Sequence, residues 1–186
     1  SSAQAPLVEA AKKEGKVVWY TSLALPSAEK VAKLFEAAHP GIKVEVHRTG
    51  SQRILQRVMQ ELQANIKNVD VVHTSDAGHF ELLKDKKLLA KHTPKGVEAF
   101  PAGFKDKDGY YYGLRATVNV IAYNTQKIAA AEAPKTWKDL LDPKWTGKIL
   151  SDDYRALGGG AVFFPVMLKA FGREFHEKLA QQKPVF

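Results

Sequence analysis

Apolar residues along the first 76 positions switch back and forth between two periods. Val17–Ser22 (VVWYTS) is a β-branched and aromatic run that turns polar at its end. Pro26–His39 then places Ala28, Val31, Ala32, Phe35 and Ala38 at helical spacing. Ile42–Arg48 alternates, with Ile42, Val44 and Val46 on one face. Ser51–Gln63 returns to the helical period through Ile54, Leu55, Val58, Met59 and Leu62, and Val69–Asp76 (VDVVHTSD) closes the series. The pattern predicts strand, helix, strand, helix, strand. Helices between successive strands imply crossovers and a parallel sheet, because a tight turn joins only antiparallel neighbours.

The flanking segments are read the same way. Ala5–Glu14 is expected to be a short helix, with Pro6 in its first turn and Gly15 as its stop. Ala77–Leu89 is a further expected helix, carrying Phe80, Leu82, Leu83 and Leu88, and Lys91–Gly109 is a surface connection rich in Gly, Pro and Lys. Tyr110–Asn124 fits two strands meeting near Leu114–Thr117. Thr136 is placed to cap a short helix that Asp142–Pro143 breaks, and Lys148–Leu150 to start a strand. Ser151–Gly160 is a polar, glycine-rich turn, followed by a helix over Ala161–Ala180 broken near Gly172. The expected fold class is α/β, with a βαβαβ-based first lobe over 1–115 and a partial second lobe over 116–186. One strand and two helices are too few to cover both faces of a sheet. Either strands from elsewhere complete the second lobe, or the sequence is part of a longer protein.

Composition changes this picture little. The 186 residues are 45% hydrophobic and 26% charged, as in ordinary globular proteins. No apolar run approaches the ~20 residues of a membrane helix. The opening SSAQAPL has the character of a processed end and points to export. The absence of Cys excludes disulfides, thiolate metal sites and cysteine nucleophiles. The net charge is +8, but Lys and Arg are mixed with acids, as in KKEGK and KDKD, with no basic stripe interleaved with aromatics. That argues against nucleic acid and for a cationic surface suited to anionic solutes or an anionic membrane.

Five stretches resemble one known family: KEGKVVWYTSL, AHPGIKVEVHRTGS, NVDVVHTSD, YNTQKI and, most specifically, PKTWKDLLDPKWTGKI. They look like the periplasmic solute-binding proteins of ABC importers, in the iron(III)-binding-like subgroup, from about Lys13 to Lys183. The resemblance implies a type II periplasmic-binding-protein-like fold: two α/β lobes with mixed sheets, joined by crossing strands and closing on a solute. Tyr110–Leu114 would be the last strand of lobe one and Val118–Asn124 would enter lobe two, which is left incomplete. It also implies a non-enzymatic role, a periplasmic location after signal-peptide removal, and delivery of solute to an ABC permease in the inner membrane. The family expectation is a monomer, with a strand-exchanged dimer as the alternative for a chain of this length.

Candidate site residues gather at the predicted strand ends, where open α/β sheets bind ligands. Thr21 and Ser22 end the first strand; they line a ligand or cap the next helix, a task Ser27 could also do. Arg48, Gly50 and Ser51 follow the second. There Gly50 permits close backbone approach, the next helix offers free N–H groups, and Arg48 offers a bidentate fork for an oxyanion. Thr74 and Ser75 repeat the pattern, with Asp76 as a helix cap. Arg115 and Asn119 sit at the proposed crossing, and Tyr154 lies in the Asp152–Arg155 stretch before Gly158–Gly160, a second cradle or a plain turn. The favoured ligand is a phosphonate, sulfonate or carboxylate; ferric ion with a synergistic anion is the other ligand the resemblance allows, and no resident cofactor is expected. The iron-binding branch uses a His or acid from lobe one and adjacent tyrosines from lobe two. Here the first strand ends Thr-Ser-Leu, and Tyr110–Tyr112 precede the crossing, where packing explains them. His47, His73, His79 and His92 lack a zinc spacing. Ser22, Ser51 and Ser75 lie in no G-x-S-x-G elbow, and no phosphate-binding G-x-x-x-x-G-K-[ST] loop exists. A phosphate-handling enzyme is therefore one weaker alternative, and a truncated form without solute affinity is the other.

Overall fold

The computed structural model describes residues 5–116, 118–153 and 159–186. They fall into two compact units, Ser1–Leu82 and Leu83–Phe186.

In the first unit α1 (Ala5–Glu14) stops where expected. Gly15 has φ +76° and returns its N–H to Ala11 O at 3.0 Å, a left-handed helix end that suits glycine. The chain continues through β1 (Lys16–Thr21), α2 (Leu25–Ala38), β2 (Lys43–Arg48), α3 (Ser51–Gln63), β3 (Val71–His73) and α4 (Ala77–Asp85). The three strands form a parallel sheet in the order β2-β1-β3. With β1 central, Val18, Trp19, Tyr20 and Thr21 are all buried.

Burial explains which helix faces were chosen. From α2 only Ala28 and Ala32 are buried, while Val31 is 43% exposed, so the buried face of α2 is narrower than its spacing predicts. From α3, Ile54, Leu55 and Val58 are buried. Tyr20 stands on the face that meets α3: its hydroxyl donates to Glu61 Oε1 at 2.7 Å and accepts from Asn68 Nδ2 at 3.0 Å. Arg57 donates to the same carboxylate at 2.8 Å and lies over the Tyr20 ring. Burial pushes the Glu61 carboxyl up, but the Tyr20 and Arg57 bonds outweigh it and hold the group below the usual carboxylate range. The phenol is satisfied on both sides, while the Glu61 carboxylate is held through Oε1 alone, its Oε2 being buried without a partner among the described residues.

Three expectations fail locally in this unit. β3 is three residues rather than eight. The Asp70 carboxylate accepts the Val18 N–H at 2.7 Å before β3 begins, and Thr74–Asp76 turn to local hydrogen bonds after it. α4 ends at Asp85 instead of Leu89, with Lys87 at φ +58°. None of Thr21, Ser22 and Ser27 caps α2: the position before it is Ala24, and no side chain caps it.

The second unit packs around Met167, Phe175 and Leu179 of α5 (Gly159–Gln181), against Trp137, Leu140, Leu141, Ile149, Phe163 and Phe171. Thr136 caps the 3-10 turn Trp137–Leu141 in a reciprocal box with Asp139, as the sequence predicts, and a second such turn spans Pro143–Trp145. Gln182 ties these turns to the end of α5, donating to Leu141 O and accepting from Thr146 Oγ1, each at 2.7 Å. The predicted break in α5 occurs at Gly172 (φ 76°, ψ 176°). Lys84 Nζ donates to Asp106 and Asp108, both at 2.7 Å, fixing the turn before Tyr110.

The two strands expected within Tyr110–Asn124 do not form. Among the described residues this run makes one antiparallel bridge, Lys105 with Tyr112, and Lys148–Leu150 makes only the parallel bridge of Leu150 with Val185. Leu114, Val118 and Val120 are 64%, 77% and 71% exposed. Their β-prone side chains have no neighbouring strand to pack on, and a lone strand is not stable in water. Among the described residues no helix is long and apolar enough to cross a membrane.

Candidate functional site

The carboxyl ends of β1, β2 and β3 lie side by side, so seven of the predicted site residues share one edge of the first unit's sheet. Arg48 is in register with Thr21, and Thr21 with His73. The ladder runs one step further at each side: Thr49 N–H donates to Thr21 O at 3.2 Å and Ser22 N–H to His73 O at 3.0 Å. This edge positions Ser22, the Gly50–Ser51 turn and the Thr74–Ser75 turn around the start of α3.

The side chains divide by what they already bond. Thr21 is fully buried; its hydroxyl accepts the Leu23 N–H at 3.1 Å and lies 2.8 Å from His73 Nδ1. Thr74, also buried, donates to Asp76 O at 3.3 Å and lies 3.1 Å from His79 Nδ1. Both hydroxyls are turned into the protein. Asp76 accepts the Gly78 N–H at 2.8 Å, the capping role expected of it for α4.

The remaining groups differ in exposure: Ser75 and Arg48 are exposed, while Ser51 and the Ser22 hydroxyl are buried. Ser51 Oγ accepts the Ser75 N–H at 3.0 Å and lies 2.9 Å from Ser75 Oγ. When the Ser51 hydroxyl donates to Ser75, the Ser75 proton is left to point outward. The first intrahelical bond of α3 is Ile54 N–H to Gly50 O at 3.0 Å, so the N–H groups of Ser51, Gln52 and Arg53 carry the positive end of the helix without a side-chain cap. Gly50 has an ordinary φ of −66°, and a Cβ there would meet nothing within 4 Å. Its backbone does not demand glycine; the space above it is open. Arg48 is exposed, and among the described residues its side chain makes no hydrogen bond or ion pair. Ser22 Oγ is buried and has no hydrogen-bond partner among the described residues.

The arrangement offers hydroxyls, amide N–H groups and a guanidinium, which together donate hydrogen bonds to an anion. It does not resemble a metal centre. Among the described residues no three His, Asp or Glu side chains gather as ligands.

The other predicted site residues belong to the second unit. Arg115 is exposed, and Asn119 lines a cavity of about 780 Å³ between the 119–124 run, Trp145, Ile149 and Phe175. That cavity is walled mainly by apolar side chains, and Trp145 Nε1 within it is buried without a partner among the described residues. Tyr154, with Arg155 and Gly158 of the proposed second cradle, lies outside the described residues. Sequence reasoning missed His73, His79 and Gln52, which brace the strand-end turns. His73 was within reach, since pairing the strands from their C-termini sets it beside Thr21; nothing in the sequence marks Gln52.

A parallel βαβαβ unit with polar strand ends, followed by a helical second unit, defines an α/β protein of the periplasmic-binding-protein type. Iron-bound HitA from Pseudomonas aeruginosa superposes with a TM-score of 0.73 at 24% identity, covering 90% of this chain and 53% of that one. AfuA from Actinobacillus pleuropneumoniae, with exogenous fructose-6-phosphate bound, gives 0.68 at 21% identity, covering 90% and 55%. The family model for bacterial extracellular solute-binding proteins matches residues 67–183, and the chain belongs to that family. A probable ABC transporter periplasmic-binding protein of Sinorhizobium fredii is 28% identical over 113 residues, 61% of this chain and 31% of that protein. The chain thus spans about half the length of these solved structures and less of that curated relative.

Proposed function

We propose that this chain is part of the solute-capturing component of an ABC importer, acting in the periplasm after removal of a signal peptide and passing its solute to an inner-membrane permease. The guest is a small anion held through an oxyanion group (phosphate, phosphonate, sulfonate or carboxylate) at the strand-end rim of the first unit. The observation that carries this is the uncapped start of α3 beside the Ser51–Ser75 pair, with open space over Gly50; the exposed Arg48 ends β2 three residues before Ser51. A helix N-terminus with converging hydroxyl donors stabilises an anion without further charge, and Arg48 adds a bidentate fork.

The fructose-6-phosphate held by AfuA supports a phosphate-bearing guest. Ferric ion with a synergistic anion draws on the iron-bound state of HitA and not on the rim, whose hydroxyls and N–H groups are poor ferric ligands. Calorimetric titration with inorganic phosphate, fructose 6-phosphate, a phosphonate, a sulfonate and ferric citrate separates the two. Binding of a phosphate or phosphonate that weakens with added salt is the expected result. Binding of ferric citrate alone would overturn the proposal.

A further inference from the structure

We infer that His79 is the positioning residue of the strand-end rim: it fixes the start of α3 against the turn after β3, and so holds Ser51 and Ser75 in the arrangement that takes an oxyanion. The placement rests on the proposed solute site; the bracing does not. His79 is 6% exposed, in the first turn of α4. Its ring joins two segments far apart in sequence: Nδ1 lies 3.1 Å from Thr74 Oγ1, and Nε2 lies 3.0 Å from Gln52 Oε1 in the first turn of α3. Each nitrogen of the ring thus has a partner on a different wall of the rim.

The hydrogen-bond roles follow from the donors available. Gln52 Oε1 can only accept, so Nε2 carries a proton and donates to it. Nδ1 faces the Thr74 hydroxyl, and the Asp76 carboxylate stands 3.6 Å from Nε2. Ser75 lies between Thr74 and Asp76, so a turn anchored on both sides by His79 cannot carry its hydroxyl and N–H away from Ser51. Gln52, next to Ser51, is anchored by the same ring. The direct Ser51–Ser75 contact is the visible part of the rim, and His79 is its brace from beneath.

Amide hydrogen exchange on the free chain reads the bracing with no ligand present. The reporters are Ser75 N–H, bonded to Ser51 Oγ, and Ile54 N–H, the first helical bond of α3. His79→Leu and Gln52→Ala are each expected to speed exchange at both sites by about tenfold or more, with the β1 amides unchanged. His79→Gln, which keeps a donor toward Gln52, restores part of the protection. Because both residues act through one bond, the double variant should exchange no faster than the worse single variant. Unchanged Ser75 exchange in both single variants, or fully additive effects, overturns the inference. Titration with inorganic phosphate is the second arm: the same variants should bind at least fivefold more weakly. A wild-type chain that binds no phosphate rejects the proposed solute, while the exchange data still decide the role of His79.

Discussion

Ser51 Oγ and Ser75 Oγ lie 2.9 Å apart, and the Ser75 N–H closes the pair by donating to Ser51 at 3.0 Å. One hydroxyl thus joins the start of α3 to the turn after β3. Ser51 is 7% exposed, so Ser51→Ala takes a partner from the Ser75 N–H in a partly buried site. An unsatisfied buried group costs about 1–2 kcal/mol, read as a lower urea midpoint with an unchanged slope. Phosphate affinity should fall with it. A variant as stable as the parent that binds equally well would remove Ser51 from both roles.

Arg48 separates binding from stability. It is exposed and unpartnered among the described residues, so Arg48→Ala should alter stability by no more than about 0.5 kcal/mol. Its expected effect is on the guest: about tenfold weaker binding of a phosphate monoester, with a shallower salt dependence. Arg48→Lys should recover only part of this, since an ammonium lacks the planar fork. Equal affinities for all three chains would place Arg48 outside the site.

Much of the first unit was legible because its two periods are clean and its helices are amphipathic. The bounds of α1 and α3 and the Thr136 cap follow directly from the residues, as does the Gly172 break. The site was legible only as a set of strand ends. Which hydroxyls face inward depends on contacts between distant positions: Thr21 bonds His73, Thr74 bonds His79 and Ser51 is buried against Ser75, which leaves Ser75 as the exposed hydroxyl. The failure at 110–124 has a different cause. β propensity reports how well a side chain packs on a neighbouring strand. Val118 and Val120 have the propensity without, among the described residues, the neighbour.

The Lys84–Asp106 pair gives a pH signature. Burial pushes the Asp106 carboxyl up, but Lys84 and the Tyr110 and Asp108 N–H groups outweigh it and hold the group below its usual range. The hydrogen bonds that Lys84 donates to Asp106 and Asp108 raise its ammonium well above its ordinary value. A lowered acid stabilises above its unfolded value, near pH 4, and loses that contribution as pH falls through the folded one. A raised amine stabilises below about pH 10.4 and loses it as pH rises further. The stability gap between the parent and Asp106→Asn should therefore be widest from about pH 5 to 9 and close below about pH 4. Urea midpoints across pH test this; a gap that widens in acid would contradict it.

Two glycines are fixed by geometry. Gly172 has φ 76° and ψ 176°, a region that L residues other than glycine scarcely enter, so Gly172→Ala should cost about 1–3 kcal/mol. At Gly113 the backbone is ordinary, but an added Cβ would stand 2.7 Å from Phe104 Cδ1. Gly113→Ala with Phe104 retained is expected to destabilise, and pairing it with Phe104→Leu should recover part of the loss. Thermal midpoints of the three variants decide whether the close approach is the cause.

The 116–126 run, ATVNVIAYNTQ, carries no charge in a chain of net charge +8. Its Val118 and Val120 are exposed, and among the described residues it makes no ladder bond. An uncharged, β-branched run with no ladder partner among the described residues is where two chains pair most readily, since like charges hold the rest of their surfaces apart. Strand exchange between copies would use this run. Val120→Lys puts a charge on it at an exposed position and should leave the thermal midpoint within about 2 °C. Light scattering against concentration is expected to show the parent growing beyond monomer mass while Val120→Lys stays monomeric. If both chains remain monomeric at high concentration, this run is not an association surface; if both associate equally, the contact lies elsewhere.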